Sequence, residues 1–318
     1  MHPAKSVIYF TTATGAGYGL FFWLALLSYL GHLPAGQMMG FVMLAVAFGL
    51  VVSGLISSTG HLGHPERAWR AMSQWRSSWL SREGVMAILT FIPMSIFGIY
   101  WVFFGQNTGM PALIGVVGGV MALVTVFTTS MIYASLKTIP AWHNIWTKIG
   151  YIVMALMSGA VLAVALTASF GQNNVALHLA FAAMILLTLG LLVKIIYWRH
   201  IHSGNAVSTA QSATGLGQFG KVSLAASPHS ADNYLLKEMG FKIARKHATK
   251  LRWVATIFGF IVPFIFFGMA MQYFENSVKL LTILLATASC LLGLIFERWL
   301  FFAEARHVVT LYYGETKV

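Results

Sequence analysis

Eight stretches of predominantly apolar residues run along the chain, starting near Val7, Met39, Gly84, Pro111, Ile149, Val175, Trp253 and Val278. Each is about 20 residues long, and a helix of that length rises about 30 Å, the thickness of the bilayer's hydrocarbon core. The pattern predicts an all-α integral membrane protein with eight transmembrane helices. They cover residues 7–30, 39–59, 84–104, 111–134, 149–170, 175–197, 253–273 and 278–302 of a single membrane domain spanning 1–318. The first helix carries Thr11, Thr12, Thr14, Gly15, Gly17 and Gly19, and the fourth carries Gly115, Gly118 and Gly119. Such small residues let neighbouring backbones approach closely.

The polar breaks decide orientation. Of 20 Lys and Arg residues, 19 fall on one face once eight crossings are drawn, and only Lys279 lies opposite. Cationic loops stay in the cytoplasm, so both termini and the two long connections, 60–83 and 200–251, are expected there. The opposite links are a few residues each and offer no room for a folded lobe.

Composition narrows the class. Charged residues are 9% of the chain, hydrophobic ones 58%, and mean hydropathy is +0.76, outside the soluble range. The net charge of +12 flanks the spans, so it points to anionic lipid headgroups and away from nucleic acid. The first apolar run is too long for the core of a cleavable signal. One cysteine, Cys290, holds neither a zinc site nor an iron–sulfur cluster, so redox metal in a complex has to come from haem or another subunit.

Two long connections carry the candidate chemistry. Residues 200–251 begin Ser/Ala/Gly-rich; Asp232 then caps a segment whose Leu235, Leu236, Met239 and Ile243 share a helical face. A basic amphipathic helix there suits the headgroup layer or a docking partner equally. The denser constellation is Gly60-His61-Leu62-Gly63-His64-Pro65-Glu66-Arg67-Ala68-Trp69-Arg70, continuing through Trp75, Arg76 and Trp79 to Leu80-Ser81-Arg82-Glu83. His61 and Glu83 stand at its two ends. Reducing a quinone takes two electrons and two protons, and His with a partly desolvated Glu can supply protons near neutral pH. Interfacial anchoring by snorkelling Arg and headgroup Trp accounts for the same composition. Histidines 61, 64, 143 and 178 form no obvious mid-membrane pair on facing helices, so haem b is possible but not favoured. Glu297-Arg298 and Glu304 with Arg306 are paired charges near the inner end of the last span, structural or part of a proton route.

The order of residues adds to this. His61-Leu62-Gly63-x-Pro65-x-Arg67-Ala68-aromatic, followed by Leu80-Ser81-x-Glu83, resembles the anchor subunit family of dimethyl sulfoxide reductase, within the wider polysulfide-reductase-like anchors. Tyr133, Ile139-Pro140-Ala141-Trp142 and Ile145-Trp146-Thr147-x-x-Gly150 form a second block, and Glu297-Arg298 a third. The resemblance implies two adjoining four-helix bundles in a bacterial inner membrane, and a site for ubiquinone or menaquinone beside a partner. His61 and Glu83 match the family's quinol-site residues; Arg67, Ser81, Tyr133 and Trp142 match neighbouring positions. It also implies a four-cluster-type iron–sulfur subunit and a molybdopterin catalytic subunit as partners, with those cofactors held by the partners alone. Because the loop is basic and expected in the cytoplasm, the chain looks more like the membrane subunit of a cytoplasm-facing sulfite-oxidising molybdoenzyme. A quinol-oxidising dimethyl sulfoxide or polysulfide reductase anchor, a secondary transporter and a purely structural anchor are the alternatives.

Overall fold

The computed structural model describes residues 5–60, 64–203, 208–226, 247–272 and 276–317. All eight apolar runs are helices: α1 Lys5–Tyr29, α2 Gln37–Thr59, α3 Trp79–Phe104, α4 Met110–Ala134, α5 Ile145–Ser169, α6 Asn173–Ser203, α7 Ala248–Ala270 and α8 Ser277–Ala303. Each is long and apolar enough to cross a membrane. No strand forms among the described residues; the only pairing of that kind is an isolated bridge between Thr209 and Lys317.

Polar caps extend several helices beyond their apolar runs. Ser78 accepts a hydrogen bond from Ser81 N, so α3 starts at Trp79 and not at Gly84. Asn144 accepts from Thr147 N at 3.0 Å and starts α5 at Ile145. The first shift matters most, because it carries Glu83 out of the connection and into the helix.

Helix contacts close two circuits, α1–α2–α3–α4 and α5–α6–α7–α8, which meet through α1 against α5 and α8 and through α4 against α5. Helices α1 and α5 are the most enclosed of the eight. Their approach needs glycine: a Cβ on Gly19 would run into the Ala155 carbonyl, and one on Gly159 into the Gly19 backbone. Trp23 Nε1 then donates to Leu156 O at 2.9 Å across the seam. Within the first circuit, Thr90 and Thr125 hydroxyls pair at 2.9 Å. A bond of this kind contributes about 0.6 kcal/mol in a membrane interior.

Helix α7 contains a π turn, Ile257–Ile261, just before Pro263. Proline has no N–H for the preceding turn, and the wider register accommodates the loss. The neighbouring Phe258 carbonyl accepts Ser289 Oγ from α8 at 2.8 Å.

One end of the assembly gathers the start of α1, α3, α5 and α7 and the finish of α2, α4, α6 and α8. It also carries a 3₁₀ helix, Pro65–Gln74, packed on α3. The other end is short-linked and internally tied, with Asn107 Nδ2 donating to Leu33 O at 3.1 Å and Pro34 O at 3.2 Å.

Candidate functional site

The connection before α3 is pinned to the helix by its own polar residues. Ser81 is buried, and its hydroxyl donates to Ala71 O in the 3₁₀ helix. Arg82 donates from Nε to Trp75 O at 3.0 Å and from Nη2 to Arg76 O at 2.7 Å, with its guanidinium 4.2 Å from the Trp79 ring centroid. One residue further, Glu83 turns inward and is 6% exposed. Thr129 Oγ1 on α4 donates to Glu83 Oε1 at 2.5 Å. Tyr18, Tyr133 and Tyr151 all lie within electrostatic range of this carboxyl. A buried carboxyl bonded to a single hydroxyl is an acid–base group with few fixed partners.

Tyr133 and Trp142 belong to the seam between the circuits. The Tyr133 ring stacks on Tyr151 with centroids 6.0 Å apart and meets Trp142 edge-on at 5.2 Å. Trp142 Nε1 donates to Phe301 O at 2.9 Å, which ties the α4–α5 link to the end of α8. The other residues singled out from the sequence are separate from this interior. Arg67 is exposed, its Nε 3.6 Å from Glu66 Oε1. His64 Nδ1 is 3.0 Å from the same oxygen. His143 Nδ1 lies 2.7 Å from Ala134 O. His61 and the segment from Asp232 to Ile243 lie outside the described residues.

A second polar group, visible in the sequence only as boundary charges, lies inside the helices. Lys194 on α6 is 3% exposed, and its Nζ is 2.5 Å from Glu297 Oε1 on α8. Arg298 Nε is 2.7 Å from Glu297 Oε2, and the guanidinium stands 4.3 Å from the Tyr151 ring centroid. Both contacts are short, buried ion pairs. Lys194 and Arg298, expected on the cytoplasmic face, are thus interior, because Glu297 gives both a counter-ion that water cannot supply there. Closer to the end, Glu304 is held by Arg252 at 2.6 Å and 2.7 Å. Burial pushes the Glu304 carboxyl above the ordinary carboxylate value, and Arg252 draws it part of the way back.

A succession of neighbours runs from Tyr133 to Tyr151, then to Arg298, Glu297 and Lys194, and Glu83 lies within electrostatic range of its first two members. Helices of both circuits contribute to it. Lys194 and Glu297 each stand out as a charge within an apolar run; their partnership across α6 and α8 has no signature in spacing.

A family profile described as DMSO reductase anchor subunit (DmsC) matches residues 1–314. A sulfite dehydrogenase subunit of Allochromatium vinosum is 32% identical, over 98% of this chain and 99% of its own length. One of the anaerobic dimethyl sulfoxide reductase chains of Escherichia coli is 31% identical over 45% of this chain and 51% of its own. No solved structure matches. With eight membrane-spanning helices and a family match over nearly its whole length, the chain is a multi-pass membrane protein that belongs to the DMSO reductase anchor subunit family.

Proposed function

We propose that this chain is the quinone-reactive anchor of a molybdopterin and iron–sulfur oxidoreductase. In this reading it passes electrons from an iron–sulfur subunit to quinone during oxidation of sulfite to sulfate. The observation that carries the reading is Glu83: a carboxyl buried against Thr129 one turn inside α3, directly behind the basic connection. Quinone reduction at that end needs an electron donor on the adjoining surface and two protons from it. Glu83, with His61 at the other end of the connection, is placed to hand them on. Ser81 and Arg82 fix the connection on α3, Arg67 presents a cation at its surface, and Tyr133 and Trp142 pack at the seam between the circuits.

The eight helices are read as two adjoining four-helix bundles with both termini in the cytoplasm of a bacterial inner-membrane protein. Positive charge on the connections supports that side. The iron–sulfur and molybdopterin subunits then dock on the basic cytoplasmic face. Sulfite is favoured over dimethyl sulfoxide because likeness to the sulfite dehydrogenase subunit spans the whole chain, while likeness to the E. coli reductase reaches less than half of it. A secondary transporter fits less well, since the buried carboxylates Glu83 and Glu297 sit within roughly 10 Å of helix ends on one face by helix rise, away from the midplane.

The test separates two activities of the intact complex: sulfite oxidation linked to a soluble dye, and sulfite oxidation linked to quinone. His61→Ala and Glu83→Gln should keep the first and lose most of the second. Undiminished quinone-linked rates in both variants would remove the assignment.

A further inference from the structure

A cleft opens where α1, α4, α5 and α8 meet, walled by Thr11, Thr12, Gly15, Tyr151, Ser158 and Arg298, with Val126 and Leu294 among its apolar sides. Its floor admits little more than one water-sized group, and with the open mouth it encloses about 300 Å³ of empty space. The hydroxyls of the wall are already committed. Thr11 donates to Val7 O at 2.9 Å, Thr12 to Ile8 O at 2.8 Å and Ser158 to Met154 O at 2.7 Å.

Two donors remain. The Tyr151 hydroxyl and Arg298 Nη1 are both buried and make no regular hydrogen bond among the described residues, beyond a direct interaction of the two residues with each other. Both residues are 5% exposed and both line the cleft. An unmade hydrogen bond on a buried donor costs about 1–3 kcal/mol, and more within a membrane. Arg298 is also held in place: Glu297 pairs with its Nε, and Lys194 pairs with Glu297. Arg298 and Lys194 both pair with the single Glu297 carboxylate beside the cleft.

We propose that the cleft receives a carbonyl oxygen of the quinone headgroup, with Arg298 Nη1 and the Tyr151 hydroxyl as its donors and with Lys194 and Glu297 as positioning residues. This rests on the quinone reading above and extends it, because Glu83 does not line the cleft and α5 and α8 become part of the site. A floor for one oxygen, two donor residues on its wall and apolar sides match the edge of a flat ring. A phospholipid phosphate offers the same acceptor chemistry but brings several oxygens in a tetrahedron, for which the floor has no room.

The probe is a fluorescent hydroxyquinoline N-oxide, a quinol analogue, titrated into the intact membrane-bound complex and read by quenching. Arg298→Met should weaken binding roughly tenfold or more, as loss of a charged donor does, and Tyr151→Phe several-fold. Both variants should keep the fold. Removing Arg298 leaves Lys194 and Glu297 matched one to one, and phenylalanine keeps the stack on Tyr133. Gly15→Val should abolish binding by filling the cleft; a Cβ there meets nothing nearer than Ala155 Cβ at 3.9 Å. Unchanged affinity in Arg298→Met and Tyr151→Phe would overturn the donors, and unchanged affinity in Gly15→Val would overturn the cleft, either way leaving the Glu83 reading standing. Displacement of the probe by phosphatidylglycerol would overturn the quinone assignment of the cleft in favour of lipid. No binding to the wild-type complex would overturn the quinone reading itself.

Discussion

Thr129 Oγ1 donates to Glu83 Oε1 at 2.5 Å and so joins the α4 interior to the first turns of α3. The bond does two things at once. It gives a buried carboxyl a partner where water is excluded, and it holds that carboxyl against α4. Replacing Thr129 by Val keeps the shape and removes the donor. Such a change leaves Glu83 short of a hydrogen bond at a cost of about 1–3 kcal/mol. Thr129→Val should lower the thermal stability of the purified protein and cut quinone-linked turnover severalfold, and Thr129→Ser should restore both. Full activity in Thr129→Val would mean that this bond is packing alone.

The Lys194–Glu297 pair predicts a strong coupling. Lys194→Met leaves Arg298 to face Glu297, whereas Glu297→Gln leaves two buried cations without a counter-charge. Breaking a buried pair typically costs about 3–5 kcal/mol. Glu297→Gln should therefore be the more damaging single change, and the double variant should lose less stability than the two single losses added together. A double-mutant cycle on unfolding of the detergent-solubilised protein measures this; additive losses would show that the two residues act independently.

Glu304 carries a pH dependence of defined sign. Its carboxyl is raised in the folded protein, so the native state binds more protons there than the unfolded chain, and stability falls as pH rises from the ordinary carboxylate value through the folded one. Arg252 moderates the fall by stabilising the ionised form. Arg252→Gln should steepen it, with little change at pH below about 3, where the carboxyl is protonated in both states. Melting profiles across that range check the slope, and parallel curves for the two proteins would discount the pair.

Sidedness gives a separate prediction. If the basic connections face the cytoplasm, protease added to that side of oriented vesicles should cut within residues 200–251, and protease added to the other side should not. Protons for quinone then come from the same side as the electrons, so turnover in sealed vesicles should build no sustained membrane potential by itself. A potential generated by the complex alone would require charge to cross the bilayer.

Much of this was legible in the order of apolar and polar residues. Eight runs became eight helices because, in a membrane, length and hydropathy leave the backbone few alternatives. The helix starts were less legible, since caps such as Ser78 and Asn144 are polar residues that extend a helix past its apolar run. Glu83 moved from the end of a connection into α3 for that reason. The block containing Tyr133 and Trp142 was visible as a motif, but its packing against Tyr151 and Phe301 depends on helices far apart in sequence. Lys194 read as one more basic residue near the cytoplasmic face. Only the crossing of α6 and α8 shows that it meets Glu297, and only the packing of α1, α4, α5 and α8 brings Arg298 and Tyr151 together at a cleft.

A protein that joins a metal-containing oxidoreductase to quinone should travel with both when its complex is isolated intact from the membrane, with this chain as bait. The measurement is the composition of that complex. Bound quinone is expected in the lipid extract, together with iron and molybdenum in constant ratio to the chain. Purification without quinone and without either metal, from protein still folded in eight spans, would refute the quinone-anchor role.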